Sequence, residues 1–170
     1  MKKSFITISI PVYNRYTYFE EAIESALKQT VPCKIIVVDN NSEHTKFEEY
    51  VQNLNNPLVS FYRNSDNLGM IGNWNRCAEV ADTPWISILH DDDILHPNFI
   101  EIVQNVILKN TDCGLVGARA FVDNSIPESF FREISYDRDK IIEITSSFFL
   151  YRNLSPFPGV AFKKTLFERV

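Results

Sequence analysis

The feature that most constrains this chain is the run Lys34-Ile-Ile-Val-Val-Asp39. Four consecutive β-branched residues lose side-chain freedom in a helix, and as a strand they leave neither face polar. A strand that is apolar on both faces must be covered on both, as in a parallel sheet flanked by helices. Three more strand-length runs surround it: Phe5-Ile-Thr-Ile-Ser-Ile10, Val59-Ser-Phe-Tyr-Arg63 and Trp85-Ile-Ser-Ile-Leu89. Helical stripes lie between them. Phe19, Ala22, Ile23, Ala26 and Leu27 mark one over 19–28, and Phe47, Tyr50, Val51 and Leu54 mark another over 46–54. Ile71, Trp74, Ala78 and Ala81 line a third. A fourth spans 97–109, with Pro97 in its first turn, where the missing N–H costs nothing. Cys113 to Val122 reads as a fifth strand. Strands alternating with helices imply right-handed crossovers, hence an α/β fold with a mostly parallel, Rossmann-like sheet flanked by helices.

Beyond about Asn124 the pattern loosens. Residues 127–140 read as a polar loop, 141–144 as a short strand, 146–151 as a short helix, and Phe157 to Phe162 as a strand at an active-site edge. The last stripe has only begun at Val170. Residues 1–170 are therefore expected to be a single domain that is part of a longer one. The aromatic group Phe130, Phe131, Phe148, Phe149, Tyr151 and Phe157 reads as an acceptor-side wall, a membrane-facing patch or an interface left uncovered by truncation. Trp74 and Trp85, at helical and strand spacing, read as core.

At 170 residues the chain is long enough to bury a core without staples, and 45% hydrophobic with 23% charged residues is ordinary for a globular protein. A net charge of −5 without a basic stripe speaks against a nucleic-acid partner. The apolar runs are strand-sized, too short to span a bilayer. Cys33, Cys77 and Cys113 form no Cys-x-x-Cys pair and read as small buried hydrophobes in a reducing, cytoplasmic compartment.

The polar residues collect at strand ends, where open α/β sheets bind ligands. The first four strands run into Pro11-Val-Tyr-Asn-Arg15, Asp39-Asn-Asn-Ser42, Arg63-Asn64 with Asp66-Asn-Leu-Gly69, and His90-Asp-Asp-Asp93. Neither a Gly-x-Gly-x-x-Gly turn nor a Walker loop is present, and no acidic pair follows the first strand as a phosphorylated receiver would need. Three adjacent aspartates repel one another unless a cation intervenes, and Mg²⁺ or Mn²⁺ prefers carboxylate and phosphate oxygens. An isolated Asp-Asp-Asp is equally at home in a solvated loop or before a helix such as the one after Pro97. The apolar strand before it and the three other polar strand ends favour a metal that also meets an anionic ligand.

Together, Ser9-Ile-Pro-Val-Tyr-Asn-Arg15, Val37-Val-Asp-Asn-Asn-Ser42, Asn64-Ser-Asp-Asn-Leu-Gly69 and Leu89-His-Asp-Asp-Asp-Ile-Leu-His-Pro97 resemble family 2 inverting glycosyltransferases of the GT-A fold, in order and spacing as well as identity. The resemblance implies a nucleoside diphosphate sugar donor, a UDP-sugar first, and a saccharide or lipid-linked acceptor. It also implies a peripheral place at the inner face of a membrane. It gives Pro11, Tyr13 and Asn14 the turn beneath the nucleotide, Asp39 the base, and Arg63 and Asn64 the base edge. Asn67 to Gly69 form the loop alongside, and Asn73 lines the pocket. The acidic run corresponds to the family's Asp-x-Asp element. Aligned on Ile94, Leu95 and Pro97, Asp92 is the direct ligand, with Asp91 or Asp93 acting on ribose or through water. Aligned on the literal pattern, the pair is Asp91 and Asp93. His90 departs from the usual first Asp, and His96 reads as a helix-start residue. The catalytic base is expected in a motif after Val170, with Glu168 on a helix surface. The other reading is a nucleotide-binding or partner module without turnover.

Overall fold

One sheet of six strands organises the computed structural model, which describes residues 4–118 and 159–169. The strands are β1 (Ile6–Val12), β2 (Lys34–Asp39), β3 (Val59–Arg63), β4 (Trp85–Ile88), β5 (Leu115–Gly117) and β6 (Val160–Lys163), in the order β3-β2-β1-β4-β6-β5. Helices α1 (Phe19–Leu27), α2 (Lys46–Leu54), α3 (Gly69–Val80) and α4 (Phe99–Lys109) connect the strands, and a 3₁₀ segment covers Lys164–Arg169. β1 to β4 are mutually parallel. β6 lies antiparallel between β4 and β5, so the sheet is mixed at that edge.

The sheet separates two cores, as the two-sided β2 run requires. On one face Ile6, Ile8, Ile10, Ile35 and Val37 pack with Phe19 and Ile23 of α1, Phe47 of α2 and Ile100 and Val103 of α4. On the other, Ile36, Val38, Ile86 and Ile88 meet Cys77, Ala78 and Ala81 around α3. The small residues of α3 suit a helix lying close on the strands. Trp85 is buried in the first core, while Trp74 is only partly buried against the second.

Several element ends differ from the sequence reading, for identifiable reasons. β1 continues past Ile10 because Pro11 and Val12 still pair with Val38 and Asp39. α4 starts at Phe99 rather than Pro97, whose carbonyl instead accepts from Thr30 N–H at 2.9 Å. Ile71 is not on the buried stripe of α3; it is 67% exposed. Asn73 reaches the carbonyl of Val38, one residue from the end of β2, so the turn of α3 before it projects past the strands. The loop, strand and helix expected over 127–140, 141–144 and 146–151, the aromatic group, and the part of the fifth strand after 118 lie outside the described residues, as does the side chain of Glu168. Among the described residues no helix is long and apolar enough to cross a membrane.

Buried polar side chains hold the loop after β4 in place. Gln29, at the end of α1, donates to the carbonyls of Ser25 and His96 at 3.1 and 3.0 Å, and accepts from Ile100 N–H at 3.0 Å. Ser25 Oγ accepts from Leu95 N–H at 3.1 Å. The acidic segment thus enters from a buried strand and leaves through a hydrogen-bonded clamp.

Candidate functional site

The chain works outward from β1 through β2 to β3, then crosses back to place β4 on the other side of β1. The strand order therefore reverses between β1 and β4, the point at which such sheets open a crevice at their carboxyl ends. Leu89 N–H donates to Ser9 carbonyl at 2.9 Å, extending the pairing up to the acidic segment. That adjacency brings Arg15, just after β1, across to the aspartates after β4.

Arg15 joins the two strand ends. Its guanidinium pairs with Asp91 through Nη2 to Oδ1 and reaches Asp92 Oδ2 at 2.9 Å. These carboxylates hold the Arg15 guanidinium above its usual pKa, the Asp91 hydrogen bond being the strongest influence and burial opposing it. Asp91 is 8% exposed. Asp92 and Asp93 are less buried and stand in a tight turn closed by Asp93 N–H to His90 carbonyl at 3.2 Å. Burial pushes the Asp93 carboxyl up, opposed by His90 and aided by Asp92 and Asp91.

The structure also brings in His90, which in the sequence only marks a departure from the usual first Asp. His90, Asp92 and Asp93 each offer a ligand atom, and these atoms lie within 4.8 Å of one another. Two carboxylates and an imidazole at that separation fit a divalent cation. Asp91 is not in that group; its carboxylate is taken by Arg15. The clue available in the sequence was spacing: residues at the first and fourth positions of a turn meet.

The second half of the site is a hydrogen-bonded frame at the ends of β1, β2 and β3. Asp39 is fully buried; Oδ1 accepts from Ser42 Oγ at 2.5 Å and Ser42 N–H at 3.1 Å, and Oδ2 from Arg63 Nε at 2.7 Å. Arg63 Nη2 also donates to His44 carbonyl at 2.6 Å. Asn14 adopts a left-handed conformation, φ 56°, which asparagine tolerates better than most residues. Its N–H donates to Ser42 Oγ at 2.8 Å, and its Oδ1 accepts from Glu43 N–H at 2.9 Å. Pro11 pairs within the sheet, and Tyr13 is exposed just beyond it.

Asparagines tie the loop after β3 to the same frame. Asn64 donates to Asn40 Oδ1 at 3.0 Å and Asn73 Oδ1 at 2.9 Å, while Asn73 donates to Val38 carbonyl at 3.1 Å. Asn67 Oδ1 accepts from Asn40 at 2.7 Å and from Gly69 N–H at 2.8 Å, with Gly69 at φ 71°, where a side chain would be strained. Asn64 and Asn73 are buried, so their amides brace the loop from within. Asn40, absent from the sequence-derived set, is at the centre of this frame.

The family model for glycosyl transferase family 2 matches residues 7–163. The chain belongs to glycosyl transferase family 2. An uncharacterized glycosyltransferase of Rickettsia typhi is 29% identical over 140 residues, covering 80% of this chain and 43% of the relative. This family 2 chain spans less than half the length of the first curated relatives it matches. A mannosyltransferase from Pyrobaculum calidifontis, solved with GDP-Man and Mn²⁺, superposes with a TM-score of 0.69 at 16% identity, covering 99% of this chain and 47% of that one. S. aureus TarS 1-349, solved with UDP, gives 0.67 at 18% identity, covering 96% and 48%. These structural likenesses establish the GT-A fold.

Proposed function

We propose that residues 1–170 form the single donor-binding domain of a metal-dependent, inverting glycosyltransferase. It would take a nucleoside diphosphate sugar, UDP-linked first, and pass the sugar to a saccharide or lipid-linked acceptor. The observation that carries this reading is the convergence of Arg15, His90, Asp92 and Asp93 at the β1–β4 switch point of a family 2 chain. The mannosyltransferase relative bound to GDP-Man and Mn²⁺ supports the metal and donor class.

Asp92, the less buried partner of Arg15, and Asp93 would hold the cation, while Asp91, fixed by Arg15, would act on the ribose. Bound Mn²⁺ or Mg²⁺ supplies a Lewis acid that offsets charge building on the leaving diphosphate. Pro11, Tyr13 and Asn14 floor the nucleotide site. Asp39 acts on the base through Arg63, which it orients, and Asn64, Asn67, Gly69 and Asn73 shape the wall beside it. Arg15, held by the aspartates, also offers a guanidinium to an incoming diphosphate. The free cysteines, Cys33 and Cys77 buried and Cys113 partly so, and the proposed acceptor class suit the cytoplasmic side of a membrane.

Thermal melting with UDP or GDP, with and without Mn²⁺, tests the reading. A nucleotide-dependent rise in melting temperature that requires Mn²⁺ is expected. No shift with either nucleotide in the presence of Mn²⁺ sinks it.

A further inference from the structure

His90 begins the turn that presents the aspartates, and its Nδ1 lies 3.5 Å from Asp93 Oδ2. Its ring is stacked on Trp74 of α3, with centroids 5.6 Å apart and planes inclined by 14°. Trp74 packs against the core beneath α3, so the imidazole is held from the helix side as well as from the turn. Donor atoms of His90, Asp92 and Asp93 fall within 4.8 Å of one another. Donors on neighbouring positions of one cation, at about 2.1 Å each, are roughly 3.0–3.4 Å apart, so side-chain rotations that close the widest pair by about 1–2 Å bring all three onto one ion.

We propose that His90 is a third protein ligand of the divalent cation, beside Asp92 and Asp93, and that its imidazole shifts the site from Mg²⁺ toward Mn²⁺ and Co²⁺. The proposal rests on the donor-site reading above. Imidazole nitrogen favours the first-row transition metals, whereas Mg²⁺ prefers oxygen and gives up its waters reluctantly. A neutral imidazole also leaves the site one negative charge short of an all-carboxylate triad, which weakens attraction for a hard ion most. Stacking on Trp74 limits the rotation that would otherwise be lost on binding.

The test is Mn²⁺ titrated alone into the whole chain, then with UDP added, followed by EPR, with pulsed EPR on the bound ion. Bound Mn²⁺ should show nitrogen modulation from a directly coordinated imidazole. His90→Ala should abolish that modulation and weaken Mn²⁺ binding about tenfold or more, with a smaller change for competing Mg²⁺. His90→Asp should keep Mn²⁺ binding without nitrogen modulation and narrow the preference for Mn²⁺ over Mg²⁺. Melting curves without metal confirm that each variant folds, and His90→Asp carries the test if His90→Ala does not. Mn²⁺ bound without nitrogen modulation in the unaltered chain, or modulation that survives in both variants, overturns the ligand role and leaves the donor-site reading standing. No Mn²⁺ binding, alone or with UDP, overturns both.

Discussion

Asp39 illustrates how much one buried carboxylate can organise. It accepts from Ser42 and Arg63 with no exposed surface of its own, and it thereby joins the end of β2 to the end of β3. Asp39→Ala should cost about 3 kcal/mol, because Ser42 and Arg63 lose their acceptor inside the protein. At roughly 2–4 °C per kcal/mol for a chain of this size, differential scanning calorimetry should read a loss of several degrees. A variant melting within a degree of the parent would show that Arg63 finds water instead. Asp92 is different, being more exposed and flanked by Asp91 and Asp93 as well as paired with Arg15. Asp92→Asn should abolish Mn²⁺-dependent nucleotide stabilisation while the metal-free protein melts at the same temperature or higher. If it binds normally, the ligand register passes to Asp91 or Asp93. Asp93 also yields a pH prediction. Its raised pKa means the folded state holds the proton more tightly than the unfolded chain, so its ionisation erodes stability as pH rises from the ordinary carboxylate range through the raised value. Without metal, Asp93→Asn should therefore melt above the parent at neutral pH, and the gap should close below about pH 4. A gap that is constant with pH counts against the burial effect.

At the scale of elements, the clamp between α1 and α4 determines where the acidic turn sits. Gln29→Ala removes the partners of Ile100 N–H and His96 carbonyl in a buried place, and each orphaned group costs on the order of 1–3 kcal/mol. Hydrogen exchange should speed up at Ile100 and its neighbours in α4, with a matching loss of Mn²⁺ affinity. Unchanged exchange at Ile100 would show that water replaces the glutamine. The elements themselves were largely legible in the sequence: β2, α2 and β3 have the bounds that periodicity and turn residues predict. The clamp was not, because Gln29 and Ile100 are 71 positions apart and nothing local marks either as a partner. Ile71 failed in the opposite direction. Helical spacing puts it on the apolar stripe, but spacing alone does not say where the sheet beneath a helix stops.

For the whole molecule, burial separates the three thiols. Cys33 and Cys77 lie in opposite cores, and burial pushes both thiols up, that of Cys33 to about 12. Cys113 is only partly buried. A thiol reagent at mildly alkaline pH should modify Cys113 first in the folded protein and all three cysteines after denaturation, as counted by mass spectrometry. Rapid labelling of Cys77 before unfolding would contradict the packing of α3.

The sequence by itself determined the α/β class, the two-sided burial of β2 and the gathering of polar residues at strand ends, because these follow from side-chain periodicity and local backbone preference. Its motif order was also enough to indicate the family. Tertiary structure decided what those residues do to one another. β6 entering antiparallel beside β4, Arg15 reaching Asp91, Asn40 bracing the loop after β3, and His90 joining Asp92 and Asp93 against Trp74 all depend on contacts between segments distant in the chain or on the angle of a turn. Pairwise geometry of that kind arises only when the crossovers close. A pattern read along one strand or helix at a time carries no record of it.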